Sequence, residues 1–178
     1  MKKILLAIIV AMTAMAANAQ FWVGGSLGLN FFKAEDSFSD VITHVKIAPE
    51  VGYKLNNKWE LAAAFNESFT VFDGDIYNSF SVEPYARFTF AKAGIASFFV
   101  DGGFGLGAKG FDDDNFFTRS RFEFYIGLRP GVKIRLSEKV GMVAKLGFIG
   151  YEFVDDAYHS FGINLNNSPL TFGMYYNF

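Results

Sequence analysis

The sequence predicts an all-β protein: an eight-stranded antiparallel up-and-down transmembrane β-barrel preceded by a cleavable signal peptide. Three observations support this prediction. Eight segments alternate apolar with polar or small residues, which is typical of strands with two different faces. Short connections alternate with mostly longer, polar ones, as in barrels that cross a membrane. The last ten residues form a strand pattern that stops on an aromatic residue, and an apolar edge strand in water promotes aggregation.

The N-terminus has the features of a secretory signal peptide. Two lysines precede an apolar run, and Ala17 and Ala19 fit the small-residue pattern of a cleavage site. The run is too short for a transmembrane helix, which needs about 20 apolar residues. We therefore expect a signal peptide over residues 1–19 and a single β-barrel domain over residues 20–178, exported by the secretory pathway.

The eight alternating segments account for most of the remaining chain. In the sixth, the clearest, Phe122 and Phe124 share one face while Arg121 and Glu123 share the other. In the seventh, the alternation places Phe148 on the apolar face and Tyr151 on the polar face. The segments run over Phe21–Lys33, Ile42–Leu55, Trp59–Val71, Asn78–Phe90, Ile95–Ala108, Ser120–Leu136, Val140–Phe153 and Phe161–Phe178, the last interrupted at Asn166–Pro169.

Alternation alone does not say which face points inward. A soluble barrel of the lipocalin type buries its apolar face, whereas a membrane barrel turns that face outward. Here the apolar face is nearly free of charge and the polar face is rich in Gly and Ser, which suits a narrow lumen. We therefore expect a paired polar network that plugs the interior, since buried charges need partners. Its predicted members are Lys46, Glu50, Glu83, Arg87, Asp101, Arg121, Glu123, Arg129, Lys133 and Lys145.

Composition excludes several classes of function. The chain has no cysteine, and its 16 basic residues against 18 acidic ones do not give the charge of a nucleic-acid binder. The acidic run Asp112–Asp114 lacks the ligand spacing and turn glycine of a calcium loop, so we expect no metal and no cofactor. His159 and Ser160 are adjacent in the sequence, and adjacent residues of an extended chain point to opposite faces, so we expect no enzyme.

These features together resemble the small eight-stranded outer-membrane β-barrel family, to which OmpX and the membrane domain of OmpA belong. The signal ending at Ala19, the eight segments and the terminal Leu170–Phe178 carry the resemblance. It implies the outer membrane of a Gram-negative bacterium, with the lipid bilayer and lipopolysaccharide as surroundings. It also implies that the barrel-assembly machinery recognises the last strand through an assembly signal formed by Phe172, Met174, Tyr176 and Phe178.

The expected role is structural or surface-interactive, with adhesion-like display of the longer loops on a rigid, plugged scaffold. One alternative is a narrow porin-like channel, whose discrete conductance would change on Arg129→Ala or Arg135→Ala. Further alternatives are a soluble periplasmic ligand-binding barrel and a lipid A-modifying enzyme. The loops in question are Ala34–Val41, Phe72–Tyr77, Ala108–Arg119 and Val154–Ser160.

Overall fold

In a computed structural model the chain is described at residues 20–33, 41–72, 75–110, 120–155, 158–164 and 170–178. The expected signal peptide and most of the acidic loop residues, Asp112–Asp114 among them, lie outside these ranges. No helix long and apolar enough to cross a membrane occurs within them. The strands are β1 Phe21–Lys33, β2 Val41–Lys54, β3 Trp59–Phe72, β4 Asp75–Ala93, β5 Ala96–Gly110, β6 Ser120–Arg135, β7 Val140–Lys145, β8 Phe148–Val154, β9 Tyr158–Asn164 and β10 Thr171–Asn177.

These strands build the eight wall segments of a closed antiparallel barrel, which confirms the predicted all-β architecture. The order of neighbours is β5-β4-β3-β2-β1-β10-β7-β6-β8-β9, and pairing of β5 with β6 completes the ring. The seventh segment consists of β7 and β8, and the eighth of β9 and β10. Among the described residues β9 pairs with β8 only, so the first and last segments are joined through β1 and β10.

The break in the seventh segment reverses its two faces. It falls at Leu146 and Gly147, and Gly147 has a φ of 59°, a left-handed conformation that favours glycine. Beyond it Phe148 points inward against the ring of Tyr125, with centroids 6.0 Å apart. Tyr151 instead pairs with the exposed Ile126. The sequence-based placement of Phe148 and Tyr151 is therefore wrong, because an irregularity in the strand shifts the alternation by one residue.

The two faces of the barrel wall differ sharply in polarity. Large apolar side chains on the outside are exposed, whereas charged and polar side chains on the inside are buried. Exposed examples from five strands are Leu27, Leu61, Phe104, Ile126 and Phe172, and buried ones are Glu50, Glu83, Arg87, Asp101 and Glu123. The apolar face thus points outward, and the polar chemistry of the molecule is concentrated in the interior.

The short turns and both described chain ends lie at one end of the barrel. The Leu55 backbone N–H donates to the Trp59 carbonyl (2.9 Å) and that of Leu136 to the Val140 carbonyl (3.0 Å). At the same end the Phe178 N–H donates to the Phe21 carbonyl (3.2 Å). We call this the turn end and the opposite one the loop end.

Candidate functional site in the barrel interior

A buried ion pair fills the lumen toward the turn end. Arg87 on β4 and Asp101 on β5 are direct cross-strand partners. The guanidinium donates twice, from Nε to Oδ1 (2.7 Å) and from Nη2 to Oδ2 (2.8 Å). The two side chains are only 2% and 3% exposed. The Arg87 guanidinium also lies 3.9 Å from the ring centroid of Phe99, a cation–π contact. The pair is therefore both charge-matched and tightly enclosed.

A second cluster, closer to the loop end, centres on the buried carboxylate of Glu83. Arg129 forms an ion pair with it, the Tyr125 hydroxyl donates to it (2.8 Å), and the Asn66 amide donates to it (3.3 Å). Asn66 also donates to the Tyr125 oxygen at 3.2 Å. Because these donors come from β3 and β6, the cluster ties together strands that are not neighbours of each other in the wall.

The carboxylate of Glu50 organises a third cluster. It accepts hydrogen bonds from the ammonium of Lys145 (2.9 Å), the hydroxyl of Tyr85 (2.5 Å) and the hydroxyl of Ser26 (3.2 Å). Lys145 also lies 3.5 Å from an oxygen of Asp101. The ammonium of Lys145 thereby joins this cluster to the Arg87–Asp101 pair.

Further ion pairs lie toward each end of the interior. Lys133 and Glu60 are 3.1 Å apart near the turn end, and the Lys133 ammonium lies 4.0 Å from the ring centroid of Tyr175. Near the loop end the ammonium of Lys109 lies 3.2 Å from both Glu123 and Glu152. Ion pairs therefore occupy the lumen along most of its described length.

Interior aromatic side chains lie over glycines on the adjacent strands. A Cβ atom added at Gly105 would come within 2.0 Å of the Tyr125 ring, and one added at Gly141 within 2.1 Å of the Tyr175 hydroxyl. A glycine opposite a large ring is a known way to accommodate it in a sheet. The directly opposed pairs are Trp22 with Gly52, Tyr85 with Gly103, Phe99 with Gly131, Tyr125 with Gly105 and Tyr175 with Gly141.

The structure places the ten predicted interior residues as follows. Lys46, Arg121, Arg129 and Lys133 are partly exposed, and Arg121 has electrostatic contacts of its own. The other six are buried: Glu50, Glu83, Arg87, Asp101, Glu123 and Lys145. On the last strand Phe172, Met174 and Tyr176 are exposed on the outer face, and Phe178 follows at the turn end.

Sequence reasoning missed two interior residues that enclose the Arg87–Asp101 pair. Trp22 and Phe99 are almost fully buried, and both rings contact the Arg87 guanidinium. Each shares strand parity with an inward polar residue, Trp22 with Ser26 and Phe99 with Asp101. That shared parity indicates an inward orientation for both side chains. Because both side chains are apolar, sequence reasoning did not assign them to the polar interior.

The described histidines do not form a hydrolytic arrangement. His44 Nδ1 lies 2.9 Å from the hydroxyl oxygen of Thr70. His159 pairs with Phe153 on the outer face of β9, while Ser160 pairs with Glu152 on the inner face. Ser160 is therefore not within reach of the His159 ring, as a nucleophile would need to be.

Comparisons with known proteins agree with this architecture. The structure of Neisserial surface protein A is similar with a TM-score of 0.60 and 15% identity, covering 89% of this chain and 97% of that one. The N-terminal β-barrel domain of Pseudomonas aeruginosa OprF gives 0.56 and 16%, covering 89% and 98%. No curated protein sequence matches. A family profile described as outer membrane protein beta-barrel domain matches residues 4–178. The chain belongs to the outer membrane protein β-barrel family.

Proposed function

We propose that this protein is an integral outer-membrane barrel with a plugged interior, and that it serves as a rigid scaffold presenting its longer loops at the cell surface. The observation that carries the proposal is the interior network running from Lys133–Glu60 through Arg87–Asp101 to Lys109–Glu123. Such a network makes the lumen part of the core. The exposed apolar outer face supplies the surface that lipid would cover.

The interior gives less support to the narrow-channel alternative. A conducting path would have to pass the nearly fully buried Arg87, whose guanidinium lies against the Phe99 ring of the adjacent strand and against the Trp22 ring of β1. Eight-stranded barrels have interiors just wide enough for side chains to fill. The same exposed apolar outer face argues against a soluble periplasmic barrel, because water would then contact most of it.

We also propose how the protein is exported and where it resides. Residues 1–19 would direct export through the secretory pathway and be removed, leaving residues 20–178 as the barrel. The bilayer and lipopolysaccharide would surround it. The exposed side chains Phe172, Met174 and Tyr176, with the terminal Phe178, would form the signal read by the barrel-assembly machinery. The outward, apolar orientation of the first three supports that role.

Membrane placement predicts a depth-dependent cost of adding charge to the outer face. Phe65 is exposed and lies midway along β3, six residues from Trp59 and seven from Phe72. We expect Phe65→Arg to lower the free energy of unfolding by about 2–4 kcal/mol, as an arginine does at the bilayer midplane. Urea-induced unfolding of the refolded protein in phospholipid vesicles measures this difference.

Leu55→Arg is the matched control. Leu55 is also exposed and apolar, but it lies in a short connection at the turn end. There the cost should be only about 0–1 kcal/mol. A barrel whose outer face met water would show changes within about 0.5 kcal/mol at both positions, and that result would contradict membrane placement.

The surface-display role predicts that partner binding depends on the loops and not on the wall. Replacing residues 112–117 with a short Gly-Ser linker should abolish capture of a surface partner from host-cell extracts while leaving the heat-modifiable gel mobility of the barrel intact. Exchanging the turn-end residues 137–139 for a linker of equal length is the control, because those residues lie at the other end. Unchanged capture after removal of each loop in turn would end the adhesion proposal.

A further inference from the structure

A cavity lies between the Glu50 and Glu83 clusters, in the middle of the interior. Its wall includes the side chains of Lys46, Thr171 and Ser26, together with residues of both clusters. It has room for about one or two particles the size of a water molecule. Any occupant is therefore monatomic or nearly so.

The charges around this cavity do not balance. Three cations line it, Lys46, Arg129 and Lys145, against two carboxylates, Glu50 and Glu83. Arg129 is paired with Glu83 and Lys145 with Glu50. One positive charge therefore remains in excess at the cavity wall.

The two carboxylates are already well supplied with donors. Glu50 accepts from Lys145, Tyr85 and Ser26. The Glu83 carboxylate accepts from Arg129, a tyrosine hydroxyl and an asparagine amide. Neither needs the remaining cation, and both have their negative charge compensated by a direct ion pair. The excess positive charge is therefore not neutralised by a carboxylate that two cations share.

Lys46 carries that excess charge. Among the described residues its ammonium makes neither a hydrogen bond nor an ion pair, although the other two cations on the wall make both. The Thr171 hydroxyl, on the same wall, likewise makes no hydrogen bond within the described part of the chain. An ammonium inside a protein without a counter-charge is costly even after the surrounding structure has relaxed. The cavity thus presents unused donors around a space of atomic size.

We infer that this cavity binds one small monovalent anion, chloride under physiological conditions, held by the ammonium of Lys46 and the hydroxyl of Thr171. A single negative charge neutralises the excess on the wall, and a monatomic ion fits the available space. Phosphate and carboxylate ligands are too large for it. The site lies in the interior alone, so anion binding there does not depend on what the loops bind.

Bromide tests the site directly, because it has the charge of chloride and scatters X-rays anomalously. Crystals of the detergent-purified, refolded full barrel soaked in sodium bromide should show an anomalous peak in hydrogen-bonding contact with Lys46 Nζ. A cavity that holds only water, or bromide found only on the outer surface, would overturn the inference. This measurement uses the unmodified protein and therefore does not depend on whether a variant folds.

A pair of variants tests the role assigned to Lys46. We expect Lys46→Met to weaken chloride binding by at least about tenfold, the loss expected for one hydrogen bond to a charged group. Broadening of the chlorine-35 NMR signal in detergent solution measures the binding of chloride. Lys54→Met is the control, because it removes another half-buried lysine of β2 that does not line the cavity. Equal binding by both variants would show that Lys46 does not hold the ion.

Discussion

Asp101→Asn is expected to lower the free energy of unfolding by about 3–5 kcal/mol. The substitution keeps the size of the side chain but removes the counter-charge of Arg87. Because Arg87 is buried, solvent does not supply a replacement for that charge. Removing one partner of a buried ion pair leaves an uncompensated charge, which is the origin of a cost of this size. The loss also takes away the 3.5 Å contact of Asp101 with Lys145. Urea titration in lipid vesicles, followed by tryptophan fluorescence, gives the value.

The double variant Asp101→Asn/Arg87→Met separates the lost pair from lost packing. Methionine fills much of the same space without a charge, and replacing both partners of a buried pair is often neutral or stabilising. We therefore expect the double variant to recover most of the stability that Asp101→Asn loses. Asp155→Asn, at an exposed carboxylate, should change stability by less than about 0.5 kcal/mol. A double variant as unstable as the single one would contradict this view of the plug.

Gly105→Val is expected to prevent the Tyr125 ring from occupying its observed position. A Cβ atom there would approach the ring to 2.0 Å, and Tyr125 cannot move without giving up its hydrogen bonds to Glu83 and Asn66. Overpacking alone typically costs about 1–3 kcal/mol, and the loss of hydrogen bonds to a buried carboxylate adds to it. We expect a total loss above about 3 kcal/mol, measured by the same vesicle assay.

Gly162→Val is the steric control for this experiment. Gly162 lies in β9, and a Cβ atom added there meets nothing within 4 Å. Since strands tolerate and often favour β-branched residues, we expect little change in stability. Combining Gly105→Val with Tyr125→Ala should restore part of the lost stability, because the clash is then absent. No restoration would mean that Gly105 acts through its backbone and not through the space it leaves for the ring.

Much of this architecture follows from local pattern in the sequence. The period-two alternation identified the wall segments, and the lack of charge on one face gave the correct orientation, with Leu61 and Phe104 outside and Glu83 and Arg87 inside. Both results depend only on residues close in sequence. A strand has just two faces, so the character of a few neighbours is enough to assign each side chain.

Other features depend on register, which one sequence does not reveal. The seventh segment reverses its faces at Gly147, so alternation alone wrongly predicts that Phe148 lies on the outer face. The opposition of Tyr125 to Gly105 is equally invisible until β5 and β6 are aligned. The same holds for the partners of the charges. The sequence placed Lys46 among ten interior polar residues, but only the fold shows that its neighbours are already paired with one another.

The ion pairs that cross the lumen have a consequence for the order of events in folding. Lys145 and Glu50 are separated by 95 residues, and Lys133 and Glu60 by 73. Each pair joins strands on different parts of the wall, so neither can form before the sheet curls into a ring. Contacts of such high sequence separation are slow to form. Interactions absent from the transition state mainly set the rate of unfolding. The polar interior would therefore add little to the rate at which the barrel assembles. Its main effect would be to slow unfolding and so prolong the lifetime of the assembled barrel.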